Sequence, residues 1–279
     1  MTTKLSIINH DRRIFRGKYI YPVVSRRANG LSIGINLNTN NACNWQCIYC
    51  EVPELKRGKP EPINLEHLKE ELIYWLNQVI HLDFLDKHTE PGTVLRDIAF
   101  SGNGEPTASK EFGAAIKIVI EQIHSFQLHN KISVRLITNG SYLDLPATKK
   151  AWAQLENLNR EIWFKIDAID PLEAKRINQI NISSKSVISN LESSIQLSPT
   201  IIQTCLLKIN KELPSIKSIN HYIDFLKPFE NNLKAIHLYS LARPTEQNIS
   251  DSIERLSHDE LESVTDKIKQ LKVPVFSFI

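Results

Sequence analysis

The chain has 279 residues, 42% of them apolar and 23% charged, with a formal net charge of +3. That length suits one large domain with a well-buried core or two small ones, and the composition is that of an ordinary globular chain. No apolar run approaches the roughly 18 residues of a membrane-spanning helix, and so mild a positive balance permits a nucleic-acid partner without calling for one. The opening Met1–Ile8 lacks the long apolar region of a signal peptide, so the expected location is the cytoplasm, with no membrane partner.

Residues 1–30 read as a short N-terminal extension or hairpin, and 31–279 as one core. Arg12, Arg13, Arg16, Lys18, Arg26 and Arg27 cluster in the extension. They suit either an anion or RNA contact or a solvated hairpin. From there short β-branched runs alternate with amphipathic stretches, the pattern of strand–helix units around a parallel sheet. A first strand is predicted over Leu31–Leu37. A helix follows from near Asn64, where Leu65, Leu68, Leu72, Ile73, Trp75, Leu76, Val79 and Ile80 recur at three- and four-residue spacing. The remaining strands are Asp97–Ser101, Ser133–Thr138, Ile162–Ile166, Ile201–Lys208 and Ala235–Tyr239, with Val273–Phe278 closing the chain. Between them lie helices at Phe112–Phe126, Lys149–Leu158, Pro171–Ile177, Ser186–Leu197, Ser215–Leu226 and Ser257–Leu271. Six such units predict an α/β fold of the open, partial TIM barrel kind, smaller than the eight-unit barrel.

Three of the four cysteines fall within eight residues, Cys43-Asn44-Trp45-Gln46-Cys47-Ile48-Tyr49-Cys50. Thiolates this close suit a soft metal centre, yet tetrahedral zinc and iron–sulfur sites take four ligands. A C-x3-C-x2-C run with no fourth cysteine nearby points to a cluster with one iron open to a non-protein ligand. A zinc site completed by a distant histidine is the alternative, and would make the chain a zinc-stabilised binding protein. An odd trio without a signal peptide speaks against disulfides.

With an aromatic residue before its last cysteine, the run resembles the signature of the radical S-adenosylmethionine (radical SAM) superfamily, C-x3-C-x-aromatic-C. The resemblance implies a (β/α)6 core. It also implies a [4Fe-4S] cluster on Cys43, Cys47 and Cys50, with S-adenosylmethionine (SAM) chelating the open iron. The implied reaction is reductive cleavage of SAM to methionine and a 5′-deoxyadenosyl radical, which abstracts hydrogen from an unknown substrate. A low-potential electron donor of flavodoxin or ferredoxin type is the implied partner. The segment Ser25-Arg26-Arg27 with Gly30-Leu31-Ser32-Ile33-Gly34, and Ala242-Arg243-Pro244, resemble the branch that contains the tRNA wyosine-base synthases. Only Cys205 remains beyond the trio, which excludes the second all-cysteine cluster of those synthases.

In barrels of this kind chemistry collects at the C-terminal ends of the strands. After the second core strand comes Gly102-Asn103-Gly104-Glu105-Pro106, similar to the superfamily's "GGE" motif, whose backbone and carboxylate bind the SAM amino group. An ordinary tight turn is the simpler account. After the third comes Thr138-Asn139-Gly140, similar to a "TNG" near the ribose and methionine of SAM. The fourth ends on Lys165 and Asp167, which face one side of the strand and suit a mutual ion pair or a SAM or substrate role. Cys205 on the fifth is a buried small hydrophobe, or else a hydrogen-atom donor or substrate contact. Arg243 after the sixth is a solvated arginine or an anion clamp. Tyr49 is expected between cluster and adenine. Small-molecule, peptide and tRNA substrates all remain open, as does an activase that generates a radical on a partner protein.

Overall fold

The computed structural model describes residues 4–6, 17–249 and 252–279. They form two compact units, the first from Met1–Ala42, Gly58–Ile137 and Leu145–Glu161, the second from Cys43–Arg57, Thr138–Asp144 and Ile162–Ile279. Arg12, Arg13 and Arg16 of the basic N-terminal cluster lie outside the described residues. No helix among the described residues is long and apolar enough to cross a membrane.

The first unit opens with an antiparallel hairpin of β1 (Ile20–Ser25) and β2 (Gly30–Ile35), with Arg26 and Arg27 in the connecting turn. Pro22 masks β1 in the sequence, because a proline weakens a strand signal and is tolerated on an edge strand. Two short pieces, β3 (Ala42–Cys43) and β4 (Lys56–Arg57), pair at the base of the cysteine loop. The helix α1 (Leu65–Ile80) starts where the periodicity places it, its N-cap Asn64 accepting from the His67 N–H at 3.0 Å. It buries Leu68, Leu72, Trp75, Leu76 and Val79; each fully buried aliphatic side chain contributes on the order of 2 kcal/mol. Glu71 on this helix accepts from the N–H groups of Lys18, Tyr19 and Ile20 at 2.8–2.9 Å and fixes the approach to β1. After α2 (Phe84–His88) come β5 (Leu95–Phe100), α3 (Phe112–Ser125), β6 (Ser133–Thr138) and α4 (Pro146–Ala153). The strands β2, β5 and β6 run parallel. The predicted helix 149–158 lies three residues earlier because Pro146 occupies its first turn, the position where proline is favoured. Its far end tightens into i→i+3 bonds at Gln154 and Leu155.

From β7 (Arg160–Lys165) the chain builds the second unit: α5 (Pro171–Ile177), α6 (Ser184–Leu197), β8 (Thr200–Cys205), β9 (Leu207–Ile209), α7 (Ile216–Leu226), β10 (Leu233–Tyr239), β11 (Ile253–Arg255), α8 (His258–Ile268) and β12 (Val275–Phe278). Here β7, β8, β10 and β12 run parallel, in that order. The side chains of Asp170, Ser183, Ser215 and Ser257 cap α5 to α8 in turn, Ser257 in a reciprocal capping box with Glu260. The single strand predicted over 201–208 is two. The Leu206 N–H makes the last rung of the β8–β10 ladder on the Tyr239 carbonyl, and beyond it β9 pairs antiparallel with β11.

Within the first unit a polar layer crosses the early part of the strands. Ser32 on β2 donates to Asp97 on β5 at 3.0 Å, and Arg135 on β6 bridges Asp97 and Glu161, the latter at 2.9 Å. Asp97 is 1% exposed, and burial lifts its carboxyl to about 6 against the pull of Arg135 and Ser32. The folded chain therefore holds this proton more tightly than the unfolded one. The stabilisation is complete below about pH 4 and is lost as the pH rises through about 6. Asp97→Asn should remove that dependence. In urea melts between pH 4 and pH 7, the wild type should lose on the order of 2 kcal/mol relative to the variant. Parallel pH profiles would show the assignment to be wrong.

Candidate active site

The cysteine loop is secured by its backbone. The N–H groups of Gln46 and Ile48 donate to the carbonyls of Asn178 and Ile177 at 3.2 and 2.8 Å. These are C-terminal carbonyls of α5, which have no partner inside their own helix. On its other side, Thr245 donates to the Ile48 and Cys50 carbonyls at 2.7 and 3.0 Å. Gln247 donates to those of Cys50 and Val52 at 3.1 and 2.8 Å. Ile48 packs on Cys205, Leu207 and Ile209. The loop thus holds its thiols in place, and Cys43, Cys47 and Cys50 are half-buried and form no disulfide.

Two sulfurs receive N–H donors. The Trp45 backbone N–H reaches Cys43 Sγ at 3.4 Å, and the Asn178 side chain reaches Cys47 Sγ at 3.2 Å. Burial and then the Asp167 carboxylate push the Cys47 thiol up to about 12, outweighing Lys165 and Asn178. The sulfur therefore keeps its proton until a cation replaces it. Among the described residues no three His, Cys, Asp or Glu side chains are grouped to hold a single metal ion. In a zinc site all thiolates converge at about 2.3 Å on one atom. A cubane takes each thiolate on a separate iron. Three cysteine thiols on one pinned loop, none of them in a disulfide, can supply three of the four ligand positions of an iron–sulfur cluster and so fit the group.

Asp167, just past β7, organises the surroundings. Its side chain is fully buried, and it accepts from the Tyr49 hydroxyl, from Asn178 Nδ2 at 2.8 Å and from the Cys205 N–H at 2.9 Å. Lys165 lies 3.8 Å from it and donates to the Tyr239 hydroxyl at 2.7 Å. The ammonium also sits 5.0 and 5.4 Å from the ring centroids of Tyr49 and Tyr239. Burial works against its charge, but Asp167 and then Tyr239 outweigh it and hold the lysine pKa above its usual value. Burial and Asp167 likewise raise the Tyr49 phenol, so its hydroxyl remains a donor. The expected pairing of Lys165 with Asp167 is present, within a network that also takes in Tyr49, Asn178 and Tyr239.

The Thr138-Asn139-Gly140 segment braces the loop. Asn139 donates to Asn44 Oδ1 at 2.9 Å, and Trp45 Nε1 donates to Ser141 at 3.2 Å. Gly140 has φ +81°, and a Cβ there would lie 2.4 Å from the Phe164 ring. A cavity of about 580 Å³ opens beside these residues, lined by Asn44, Trp45, Arg57, Asn139, Lys165 and Asn190 among others. Arg243 pairs with Glu51, immediately after Cys50, and so fastens the loop. The Cys205 side chain lies in the apolar cluster.

In the first unit, Gly102 has φ +153°, and a Cβ there would meet Asn36 Oδ1 at 2.4 Å; one on Gly104 would meet the Ala42 carbonyl at 2.2 Å. The Asn103 backbone N–H donates to Asn36 Oδ1 at 3.1 Å and its side chain to Asn41 at 2.6 Å. The Glu105 carboxylate is buried and caps the short 3-10 turn Pro106–Ala108 by accepting from the Thr107 N–H at 3.2 Å. Asn36, Asn44, Ser141, Asn178, Thr245 and Gln247 carry no motif, and Asn178 reads in sequence only as a helix terminator.

Residues 37–216 match the Radical SAM superfamily. A "UPF0026 protein" of Helicobacter pylori (strain J99) is 30% identical over 249 residues, 86% of this chain and 70% of that protein. Among solved structures, a radical SAM methyltransferase from Sphaerobacter thermophilus aligns with a TM-score of 0.63 at 11% identity, over 93% of this chain and 68% of that one. Streptococcus suis SuiB, solved with its precursor peptide SuiA, aligns with a TM-score of 0.57 at 14% identity, and with S-adenosylmethionine bound at 0.54. The match covers 91% of this chain but about half of SuiB, 51% in the peptide complex. At these identities the structures establish the fold, the α/β partial TIM barrel. With 180 consecutive residues matched and the cysteine signature inside them, the chain belongs to the radical SAM superfamily, whose enzymes use a [4Fe-4S] cluster and S-adenosylmethionine.

Proposed function

We propose that Cys43, Cys47 and Cys50 hold the [4Fe-4S] cluster and that the protein uses it to cleave SAM and abstract hydrogen from a substrate. The observation that carries this reading is the pinned three-thiol loop beside a polar cavity. Cluster and SAM together supply the chemistry: one electron from a low-potential donor breaks the C5′–S bond, giving methionine and the 5′-deoxyadenosyl radical.

The chain's own residues bind and orient. Lys165, charged and facing the cavity, is suited to the methionine carboxylate of SAM, and Asn139 to its polar neighbours. Tyr49, held by Asp167, keeps an aromatic face beside the cluster ligands. In the first unit the turn Gly102–Pro106 is suited to the SAM amino group through its backbone, with Glu105 shaping the turn. Asp167, Arg243 and Cys205 hold the loop and the strand ends in place.

Anaerobic reconstitution with iron and sulfide, reduction with dithionite and addition of SAM should yield 5′-deoxyadenosine. Cys47→Ala should lose at least about tenfold of it together with the bound iron, and retention of both would overturn the cluster assignment. Gly104→Ala is to be compared with the wild type at matched iron content, because Ala42 directly precedes Cys43. The added Cβ displaces the Ala42 carbonyl, so SAM affinity by equilibrium binding should fall about tenfold or more, a loss of about 1.4 kcal/mol. Unchanged affinity would remove this turn from the SAM site.

A further inference from the structure

Asn178 is 2% exposed and bonded at each of its backbone groups and through its side chain. Its N–H closes α5 on the Ala174 carbonyl at 2.8 Å, and its carbonyl receives the Gln46 N–H. Its side-chain nitrogen lies 3.2 Å from Cys47 Sγ and 2.8 Å from Asp167 Oδ2. A thiolate and a carboxylate both only accept, so the amide must turn its NH2 toward them and its oxygen away. Asp167 cannot swing to release it, because the Tyr49 hydroxyl and the Cys205 N–H hold the carboxylate. The result is an N–H aimed at one cluster ligand by a buried anchor. An N–H on a ligating sulfur draws charge from it and stabilises the more negative, reduced cluster, while a nearby carboxylate works the other way. Asn178 stands between the two.

We propose that Asn178 is a positioning residue that sets the reduction potential of the cluster through its hydrogen bond to Cys47, an inference that rests on the cluster reading above. The test is an EPR-monitored redox titration of the reconstituted protein, with iron and sulfide assayed on the same samples. Asn178→Leu removes both donors at similar volume, and Asn178→Asp replaces the donor with a carboxylate. At unchanged iron and sulfide content, the leucine variant should be harder to reduce by on the order of tenfold in the one-electron equilibrium, which is 59 mV. The aspartate variant should shift further in the same direction. Full clusters at wild-type potential in both variants would overturn the proposal. So would loss of the cluster in both variants with assembly intact in the wild type, since Asn178 would then serve as scaffold. If the wild type assembles no cluster, the cluster reading fails first and takes this inference with it.

Discussion

A carboxylate taken wholly out of water must be saturated with donors, and the second unit is arranged around meeting that demand at Asp167. Three donors come from three places in the chain: the Tyr49 hydroxyl of the cysteine loop, the Asn178 amide at the end of α5, and the Cys205 N–H at the end of β8. Removing any one would leave a buried charge short of a partner, which costs more than the bond itself is worth. The three segments are therefore tied to one another, and the loop that presents the thiols inherits that rigidity. Lys165 supplies the countercharge at 3.8 Å and stays cationic because Asp167 is there.

Rigidity matters because the loop has little secondary structure of its own. Its N–H groups are satisfied by the end of α5, and its carbonyls by Thr245 and Gln247. Borrowed helix-end carbonyls on one side and side-chain donors on the other do the work that a sheet ladder does elsewhere. A thiol that burial and a carboxylate keep protonated near neutral pH suits a ligand that exchanges its proton for iron.

The regular elements were legible wherever local chemistry decides. Asn64, Asp170, Ser215 and Ser257 mark helix starts because a short polar side chain satisfies orphan N–H groups within its own turn. Elements set by distant partners were not. The strand β1 hides behind Pro22 and exists through pairing with β2. The break between β8 and β9 depends on a distant partner, β11, whose residues Ile253–Arg255 pair antiparallel with Leu207–Ile209. In the site, the cysteines, the two glycine turns and the Lys165–Asp167 pair were visible as motifs. Asn178 was not, since its 131-residue separation from Cys47 leaves no local trace.

What the sequence determined by itself is the residue types and their short spacing: three thiols at C-x3-C-x2-C spacing, strand–helix alternation, and glycine turns at strand ends. These follow from residue type and short spacing, which are properties of the chain before it folds. The tertiary structure decided how those groups are held. It turned Arg243 onto Glu51 and Glu105 into a capping residue, and it aimed an asparagine amide at Cys47. The physical reason is that buried polar groups take whichever partner the packing brings within about 3 Å, and only the folded backbone sets that choice.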